Sequence, residues 1–316
     1  MGEEILQNRQ RRLGRVLVTG AAGFLGSALA EHLARNGEKV VVSDLDQGTG
    51  SPTGFRACDL TQPRQVESLL QDQGIDTIVH AGAVSGPMVM ADRPLDIWRI
   101  NVMGTAHLLE AARRNRIGRF VLCSSIDVYG PSATGTIDED RPFAPESVYG
   151  ASKVAAEAAM TGYIREHGID ALAVRFSWIY GPGRRTPTTL ARLIRAGLAG
   201  EDVSLGEDAQ QRTHYVFIDD AVDGVLAAAG APAHLRRHAY NITGGPAVLL
   251  QQVTESLVRL LPQLRVRFGQ SSPRISGPIG FDLTHAANDL GYRPQVSLAE
   301  GLRRYTEVLR REQASA

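Results

Sequence analysis

The chain has 316 residues, of which 43% are hydrophobic and 22% are charged, and its formal net charge is zero. This length is enough for a full hydrophobic core, whereas the balanced charge excludes the strongly basic composition typical of nucleic-acid-binding proteins. No run of about 18 apolar residues is present to cross a bilayer, and Cys58 and Cys123 show neither CxxC spacing nor a neighbouring histidine cluster. We therefore expect a cytoplasmic protein with reduced cysteines and with no metal, nucleic-acid or membrane partner.

Short apolar, β-branched runs alternate with longer helical patterns along the first half of the chain. A run at 15–19 is followed by a helical pattern at 23–36 and a second run at 39–44, and further runs lie at 76–80 and 119–124. Nearly continuous apolar strands separated by helices are typical of a parallel sheet that is covered on both faces. With right-handed crossovers, this order predicts an α/β protein with a doubly wound, Rossmann-type sheet.

The regular alternation continues through a helical pattern at 148–168 and a strand at 169–176, and then breaks down. Beyond this point, glycine and proline divide the chain into shorter elements, which indicates a smaller C-terminal lobe built on the carboxyl edge of the sheet. A strand–helix pattern at 215–229 and a strand at 239–243 are expected to return to the sheet, so that the two parts are interleaved. The predicted division comprises an N-terminal extension at 1–13, a sheet domain at 14–177 and 213–243, and a lobe at 178–212 and 244–316.

A glycine-rich segment, TGAAGFLG at 19–26, follows the first predicted strand directly and opens the first predicted helix. Gly20 is expected to make the tight turn, Gly23 to let backbone N–H groups approach a pyrophosphate, and Gly26 to allow close packing of helix on strand. Three glycines at this place make an ordinary turn the weaker interpretation. The residues of this segment predicted to bind a dinucleotide are Gly20, Gly23, Phe24, Leu25 and Gly26.

Asp44 ends the second predicted strand, 18 residues after Gly26. A carboxylate at this position can accept hydrogen bonds from the ribose hydroxyls of an adenosine, and its charge repels a 2′-phosphate. The position therefore favours NAD over NADP as the cofactor. Two alternatives stay open: Asp44 is only a strand-end turn residue, or the nearby Asp46 takes this role instead.

Tyr149 and Lys153 are four residues apart in the helical pattern at 148–168, so their side chains lie on one face and can converge on one reacting atom. A phenol has a pKa of about 10 in water, so a tyrosine acts as a base near neutral pH only if its anion is stabilised. Lys153 supplies the neighbouring positive charge. Because Lys39 is the only other lysine of a chain rich in arginine, Lys153 is expected to have a specific role.

Together, TGAAGFLG, the acidic end of the second strand and YGASK at 149–153 resemble the extended short-chain dehydrogenase/reductase family, the NAD-dependent epimerases and dehydratases, over almost the whole chain. The chain resembles the sugar-nucleotide 4-epimerases of this family, whereas its RFSWIYG segment at 175–181 looks more like a dehydrorhamnose reductase. The resemblance implies NAD as the cofactor. It further implies cofactor contacts from residues after the third and fourth strands. These residues are Asp59, Leu60, Ala81, Gly82 and Ala83. His80, which precedes the second group, receives no chemical role.

The segment SSIDVYG at 124–130 is similar to the family's segment at the end of the fifth strand, and Ser125 matches its active serine or threonine. This strand is expected to end at the same sheet edge as the glycine turn. The family mechanism then implies that Tyr149 takes the proton of a sugar hydroxyl, that Ser125 orients the oxygen, and that the carbinol hydride moves to nicotinamide. The alternative is that the serines only terminate the strand.

The residues after Ser125 bear on the type of reaction. The family's sugar-nucleotide 4,6-dehydratases carry two acidic residues directly after the active serine or threonine, and here these positions are Ile126 and Asp127. The loss of the first carboxylate argues against a dehydratase. Asp127 still allows an acid–base role at the substrate, including decarboxylation of a uronic-acid sugar.

Three further positions are matched to the substrate, which is expected to bind in the C-terminal lobe. Trp178, in RFSWIYGP at 175–182, replaces the asparagine of typical nucleotide-sugar enzymes, and it either contacts a sugar ring or packs under the lobe. Arg212 matches the arginine that contacts the diphosphate or ribose of a nucleotide. Ser85 lies in AVSGP at 83–87, which resembles members that oxidise free sugar acids or small hydroxy acids.

Three functions are consistent with these residues. The favoured function is an epimerase of nucleoside-diphosphate (NDP) sugars, which transfers a hydride to NAD and returns it to the other face of the sugar. The second is a net NAD-dependent dehydrogenase of a free sugar acid or small polyol acid. The third is an NAD-sensing protein without catalysis, which the Tyr149–Lys153 pair disfavours. The resemblance also implies a homodimer formed through the predicted helices at 94–115 and 148–167.

Overall fold

The fold is described from a computed structural model of the chain. The described residues are 11–46, 54–71, 73–131, 135–206, 209–233, 235–269 and 278–315. Residues 1–10 of the predicted N-terminal extension lie outside this part of the chain. So do residues 207–208, close to Arg212, and residues 270–277 of the predicted lobe.

Seven parallel strands form the central sheet. In chain order they are β1 (Arg15–Thr19), β2 (Lys39–Asp44), β3 (Phe55–Ala57), β4 (Thr77–His80), β5 (Arg119–Ser125), β7 (Ala171–Phe176) and β12 (Ala239–Ile242). Across the sheet the order is β12-β7-β5-β4-β1-β2-β3, so the chain moves outward from β1 in one direction and then returns to fill the other side. The predicted doubly wound, Rossmann-type sheet is confirmed, and its switch point lies between β1 and β4.

Helices cover both faces of the sheet. They are α1 (Phe24–Arg35), α2 (Pro63–Leu70), α3 (Pro94–Trp98), α4 (Gly104–Arg114), α5 (Val148–His167) and α7 (Ile218–Gly230), with a π-helical segment Arg99–Met103 that joins α3 to α4. On one face, α1 and α7 bury Leu29 and Val225 against the strands. On the other face, α2, α4 and α5 bury residues such as Leu108 and Met160. Because both faces are covered, the strands are apolar along nearly their whole length.

The remaining elements are short strands, three longer helices and a π-helical turn, and they lie mostly beyond β7. They are β6 (Thr136–Ile137), β8 (Trp178–Tyr180), α6 (Thr189–Ala199), β9 (Asp202–Ser204), β10 (Arg212–Thr213), β11 (Tyr215–Phe217), β13 (Val248–Leu249), α8 (Leu250–Leu260), β14 (Arg265–Arg267), β15 (Gly280–Phe281), the π-helical Ala286–Leu290 and α9 (Leu298–Ala314). They form two-stranded ladders, and α6, α8 and α9 enclose a separate core that includes Leu193, Val253 and Leu302.

One detail differs from the expected return of residues 215–243 to the sheet. β12 is the edge strand of the central sheet, beside β7, as expected. β11 instead pairs with β8 in a separate two-stranded sheet, with Tyr215 opposite Trp178. β11 continues directly into α7, which packs on the central sheet.

Two features of the described residues bear on membrane and metal partners. No helix in this part of the chain combines the length and the apolar character needed to cross a bilayer. No three His, Cys, Asp or Glu side chains of the described ranges are grouped so that they could hold a metal ion.

Candidate active site

The turn between β1 and α1 is built from backbone that approaches other backbone closely. Gly20 has φ +70°, and a Cβ at this position would lie 2.6 Å from the carbonyl oxygen of Ala81. A Cβ on Gly26 would collide with the Gly20 carbonyl group. Gly23 precedes α1 with an extended backbone, and no side chain among the described residues caps the helix. The N–H groups of the first turn of α1 are therefore available to a pyrophosphate, which fits a dinucleotide at this place.

The residues predicted to contact the adenosine half of a dinucleotide lie beside this turn. The Ala22 N–H donates to Asp44 Oδ2 over 2.9 Å, and the Leu45 N–H donates to Oδ1 over 2.7 Å. These bonds hold the Asp44 carboxylate against the glycine turn, whereas Asp46 is exposed and is not part of the cleft lining in the described chain. The cleft is also lined here by Asp59, Leu60, Ala81, Gly82 and Ala83.

The predicted catalytic side chains meet at the carboxyl end of β5. Tyr149 is 8% exposed and Lys153 is 5% exposed, and Lys153 Nζ lies 5.9 Å from the centre of the Tyr149 ring. Lys153 Nζ also donates a hydrogen bond of 2.9 Å to the Cys123 carbonyl, which fixes it to β5. The Ser125 hydroxyl, which accepts a 3.1 Å hydrogen bond from the Asp127 N–H, lowers the pKa of Tyr149. The three residues line one cleft with the glycine turn.

Burial disfavours the charged forms of both Tyr149 and Lys153. Burial raises the pKa of Tyr149, the Asp127 carboxylate raises it further, and the Ser125 hydroxyl and the Arg184 cation lower it. Burial also lowers the pKa of Lys153 to about 8. A neutral phenol beside a readily deprotonated amine is an acid–base pair poised near neutral pH. When NAD is bound, its positively charged nicotinamide would favour the phenolate form.

A buried polar network lies behind the catalytic pair, and the sequence analysis did not identify it. Glu157 follows Lys153 by one helical turn and accepts a 2.5 Å hydrogen bond from the Ser124 hydroxyl. Its carboxylate also pairs with Arg175, whose Nη2 lies 2.7 Å from Oε2, and Arg175 Nη1 donates to the Tyr129 hydroxyl over 2.6 Å. The i, i+4, i+8 spacing of Tyr149, Lys153 and Glu157 is the sequence signal that points to it.

The wall of the cleft opposite the sheet comes from loops and from β8. The cleft has a volume of about 610 Å³, and Trp178 of β8 belongs to this wall, whereas Ser85 and Asp127 line the cleft after β4 and β5. The wall also includes Arg184 and Arg185, which sequence analysis missed because nothing in GPGRR distinguishes them from surface arginines. The ring of Trp178 is 38% exposed, so it faces the cleft at least in part and does not simply pack under the lobe.

Arg212 lies away from this group. It belongs to β10, where it is paired with Leu249 of β13, and the described residues that line the cleft do not include it. His80 has a structural environment: its ring nitrogens hydrogen-bond to the hydroxyls of Thr19 and Thr105 at 2.8 and 3.0 Å. Burial lowers the pKa of His80 to about 3, so the ring is neutral.

A doubly wound sheet with a glycine turn, an acidic residue at the end of β2 and a buried Tyr–Lys pair in the same cleft defines a dinucleotide-dependent enzyme. The model of the NAD dependent epimerase/dehydratase family matches residues 16–243. The chain belongs to this family, it is an enzyme, and its cofactor is NAD.

Several named proteins are similar to this chain over nearly its whole length. The UDP-glucose 4-epimerase of Mycolicibacterium smegmatis is 31% identical over 319 residues, which covers 94% of this chain and 98% of that protein. A dTDP-glucose 4,6-dehydratase of Streptomyces griseus is 32% identical over 315 residues, with 91% of each chain covered. The structure of MoeE5 in complex with UDP-glucuronic acid and NAD is similar with a TM-score of 0.82 and 32% identity, covering 95% of this chain and 100% of that one.

Proposed function

We propose that this enzyme epimerises an NDP-sugar at a carbinol carbon by transient hydride transfer to bound NAD. One observation carries the proposal: Tyr149, Lys153 and Ser125 converge in the cleft that also contains the glycine turn. Relatives of this chain that match it over more than nine-tenths of its length are named as nucleotide-sugar enzymes, which supports the substrate class.

The chain's own residues account for the movement of the proton. Ser125 positions the sugar hydroxyl, and the phenolate form of Tyr149, which Lys153 stabilises, accepts its proton. NAD supplies the acceptor, and later the donor, of the hydride. Tyr149 returns the proton when the ketone is reduced from its other face. The cleft volume of about 610 Å³ lies within the range of small-molecule sites, which is compatible with a sugar that turns between the two hydride transfers.

The residue after Ser125 favours epimerisation over elimination of water. Ile126 packs with Val128, Phe281 and Val154 in a small apolar cluster, so no carboxylate is present at this position. Asp127 does line the cleft, and burial raises its pKa. A single carboxyl group can relay one proton to the substrate, whereas the 4,6-dehydratases carry an acidic pair. We assign Asp127, Ser85 and Trp178 to contacts with the sugar.

A second candidate is a net NAD-dependent dehydrogenase of a free sugar acid or small polyol acid. The position of Arg212 favours it, because the arginine matched to the nucleotide diphosphate is not among the described cleft-lining residues. In the epimerase proposal, Arg212 contacts the nucleotide at the outer end of the lobe. An NAD-sensing protein without catalysis is disfavoured, because a buried Tyr–Lys pair in one cleft with Ser125 has no use in such a protein.

Oligomeric state and domain division are part of the same proposal. We infer a homodimer in which the helical segment 94–115, which runs from α3 to α4, and α5 pack against the same segments of a second copy, and a lobe, formed by 178–212 and 244–316, that carries the sugar. Light scattering that gives the mass of a monomer at micromolar concentration would contradict the dimer.

The test is incubation with NAD and a panel of UDP- and dTDP-sugars and free sugar acids, with chromatography of the products and measurement of NADH absorbance. We expect a C4 epimer without net NADH. Net NADH from a free acid would support the second candidate, and a 4-keto-6-deoxy product would contradict both. Tyr149→Phe should lower kcat by about 10²–10⁴-fold. Tyr163→Phe, on the same helix with its hydroxyl bonded to Glu110, should leave kcat unchanged.

A further inference from the structure

Arg184 lies between the two walls of the cleft. Its guanidinium carbon is 5.7 Å from the ring centre of Phe24, at the start of α1, and 5.9 Å from the ring centre of Trp178, on β8. Nη1 donates a hydrogen bond of 2.7 Å to the Ile179 carbonyl, which anchors the side chain to the lobe. Two aromatic rings and one backbone bond therefore hold the cation at one place in the cleft.

The Arg184 guanidinium lacks a partner for one of its N–H donors within the described residues. Nε is shielded from solvent and has no hydrogen-bond partner in the described part of the chain. Within the described residues, no carboxylate lies within salt-bridge distance of the guanidinium. A guanidinium has five N–H donors, and leaving a shielded donor without an acceptor costs free energy. Burial also lowers the pKa of Arg184, which is the effect expected where no counter-ion is present.

A cation of this kind is suited to a ligand oxyanion. The planar fork of arginine matches the two oxygens of a carboxylate or phosphate, and aromatic walls strengthen the pairing because they exclude water. Two ligand groups could supply this oxyanion. One is the pyrophosphate of the cofactor, which would bind at the start of α1 near Phe24, and the other is an acidic group on the substrate.

The contact with Trp178, which is assigned to the sugar, and the hydrogen bond to Ile179 of β8 favour the substrate. The positive charge of Arg184 acts on Tyr149, where the sugar reacts. The cofactor pyrophosphate already has the uncapped N–H groups of α1 as donors, so it does not require this side chain. We propose that Arg184 binds a carboxylate of the sugar itself, an inference that rests on the proposed function. This contact makes the enzyme selective for acidic sugars over neutral ones.

The test compares two ligands that differ in this one group. UDP-glucuronic acid and UDP-glucose are both found in complexes of MoeE5, and only the first carries a carboxylate on the sugar. Their dissociation constants are measured by calorimetry on the NAD-loaded enzyme, and NAD itself is titrated separately. The proteins are the wild type, Arg184→Gln, Arg184→Lys and the control Arg192→Gln. Arg192 is an exposed arginine of α6 that donates to the Ser204 carbonyl.

We expect the wild type to bind UDP-glucuronic acid about 10- to 100-fold more tightly than UDP-glucose, the range of a charge-assisted pair. Arg184→Gln should lose this preference and keep its affinity for NAD and for UDP-glucose. Arg184→Lys should keep only part of the preference, because an ammonium lacks the fork, and Arg192→Gln should match the wild type.

Other outcomes overturn the proposal. A wild type without preference for the acid contradicts it, and so does a loss of NAD affinity in Arg184→Gln with the preference retained, which would assign the arginine to the cofactor. If the wild type binds neither UDP-sugar but binds free glucuronate in an Arg184-dependent way, the NDP-sugar proposal fails and the acid subsite stands. If Arg184→Gln loses its fold by circular dichroism, Arg184→Lys decides by the same comparison.

Discussion

The two walls of the cleft differ in what they are made of. The cofactor wall consists mainly of backbone: the glycine turn, the first turn of α1, and Ala81–Ala83 after β4. The lobe wall consists of side chains carried by loops, among them Trp178 and Arg184. Backbone recognises what every dinucleotide has in common, a pyrophosphate. If the side chains of the lobe wall select the sugar, as proposed, binding of the cofactor and choice of the substrate should be separable. The following predictions test that separation.

The largest expected effect is on kcat, and it comes from the Tyr149–Lys153 pair, where the cofactor wall and the lobe wall meet. Because burial lowers the pKa of Lys153 to about 8 and raises that of Tyr149, the pair loses its first proton near pH 8. Once the pair has lost one proton, the active form has its remaining proton on Lys153 and a phenolate on Tyr149, so kcat should rise through this pH and fall below it. In Lys153→Met only the phenol titrates. The rise should then move above the ordinary phenol pKa of 10, and kcat near neutral pH should fall by about 10²–10⁴-fold.

The measurement is a kcat profile against pH at saturating NAD and substrate. Lys39→Met is the matched control, because Lys39 is the only other lysine and lies exposed at the start of β2. An unchanged profile in Lys153→Met would show that the ammonium group does not set the protonation of the base.

A second prediction concerns the cofactor wall alone. Gly26→Ala places a methyl group against the Gly20 carbonyl, and backbone has little room to yield. We expect a stability loss of about 1–3 kcal/mol and a NAD affinity about 10- to 100-fold weaker. Calorimetric titration of NAD and thermal unfolding measure both. Gly162→Ala in α5 is the control, because a Cβ there meets no atom within 4 Å, and it should stabilise the helix slightly. Wild-type NAD affinity in Gly26→Ala would refute the close-packed turn.

The smallest expected effect is on the lobe wall. Trp178→Ala removes a ring that lines the cleft and contacts Arg184. Loss of one aromatic contact of about 0.5–1.5 kcal/mol should raise the KM for the sugar by roughly 2- to 12-fold and leave NAD affinity unchanged. Trp98→Ala is the control, because Trp98 is equally exposed, at 38%, and does not belong to the described cleft lining. A weaker affinity for NAD in Trp178→Ala would mean that the two walls are not separable.

The two walls also differ in how far sequence analysis reached. The glycine turn, Asp44, and the Tyr149–Lys153 pair were predicted at the positions where the structure brings them together. Each of these is a short segment at the end of a strand or on one face of a helix, so its geometry follows from local periodicity. β11 was expected in the central sheet and is paired with β8 instead, because the partner of a three-residue strand depends on residues far along the chain.

The amino-acid sequence by itself determined the parallel sheet, the dinucleotide turn and the spacing of the proton-transfer pair, because strand and helix periodicities set these within a few residues. Only the tertiary structure decided that Glu157 joins Ser124 to Arg175 and that Arg184 lies between Phe24 and Trp178 with no carboxylate of the described residues beside it. These arrangements depend on which distant segments pack together and on what burial does to a charge. An isolated arginine in a sequence carries no sign of either.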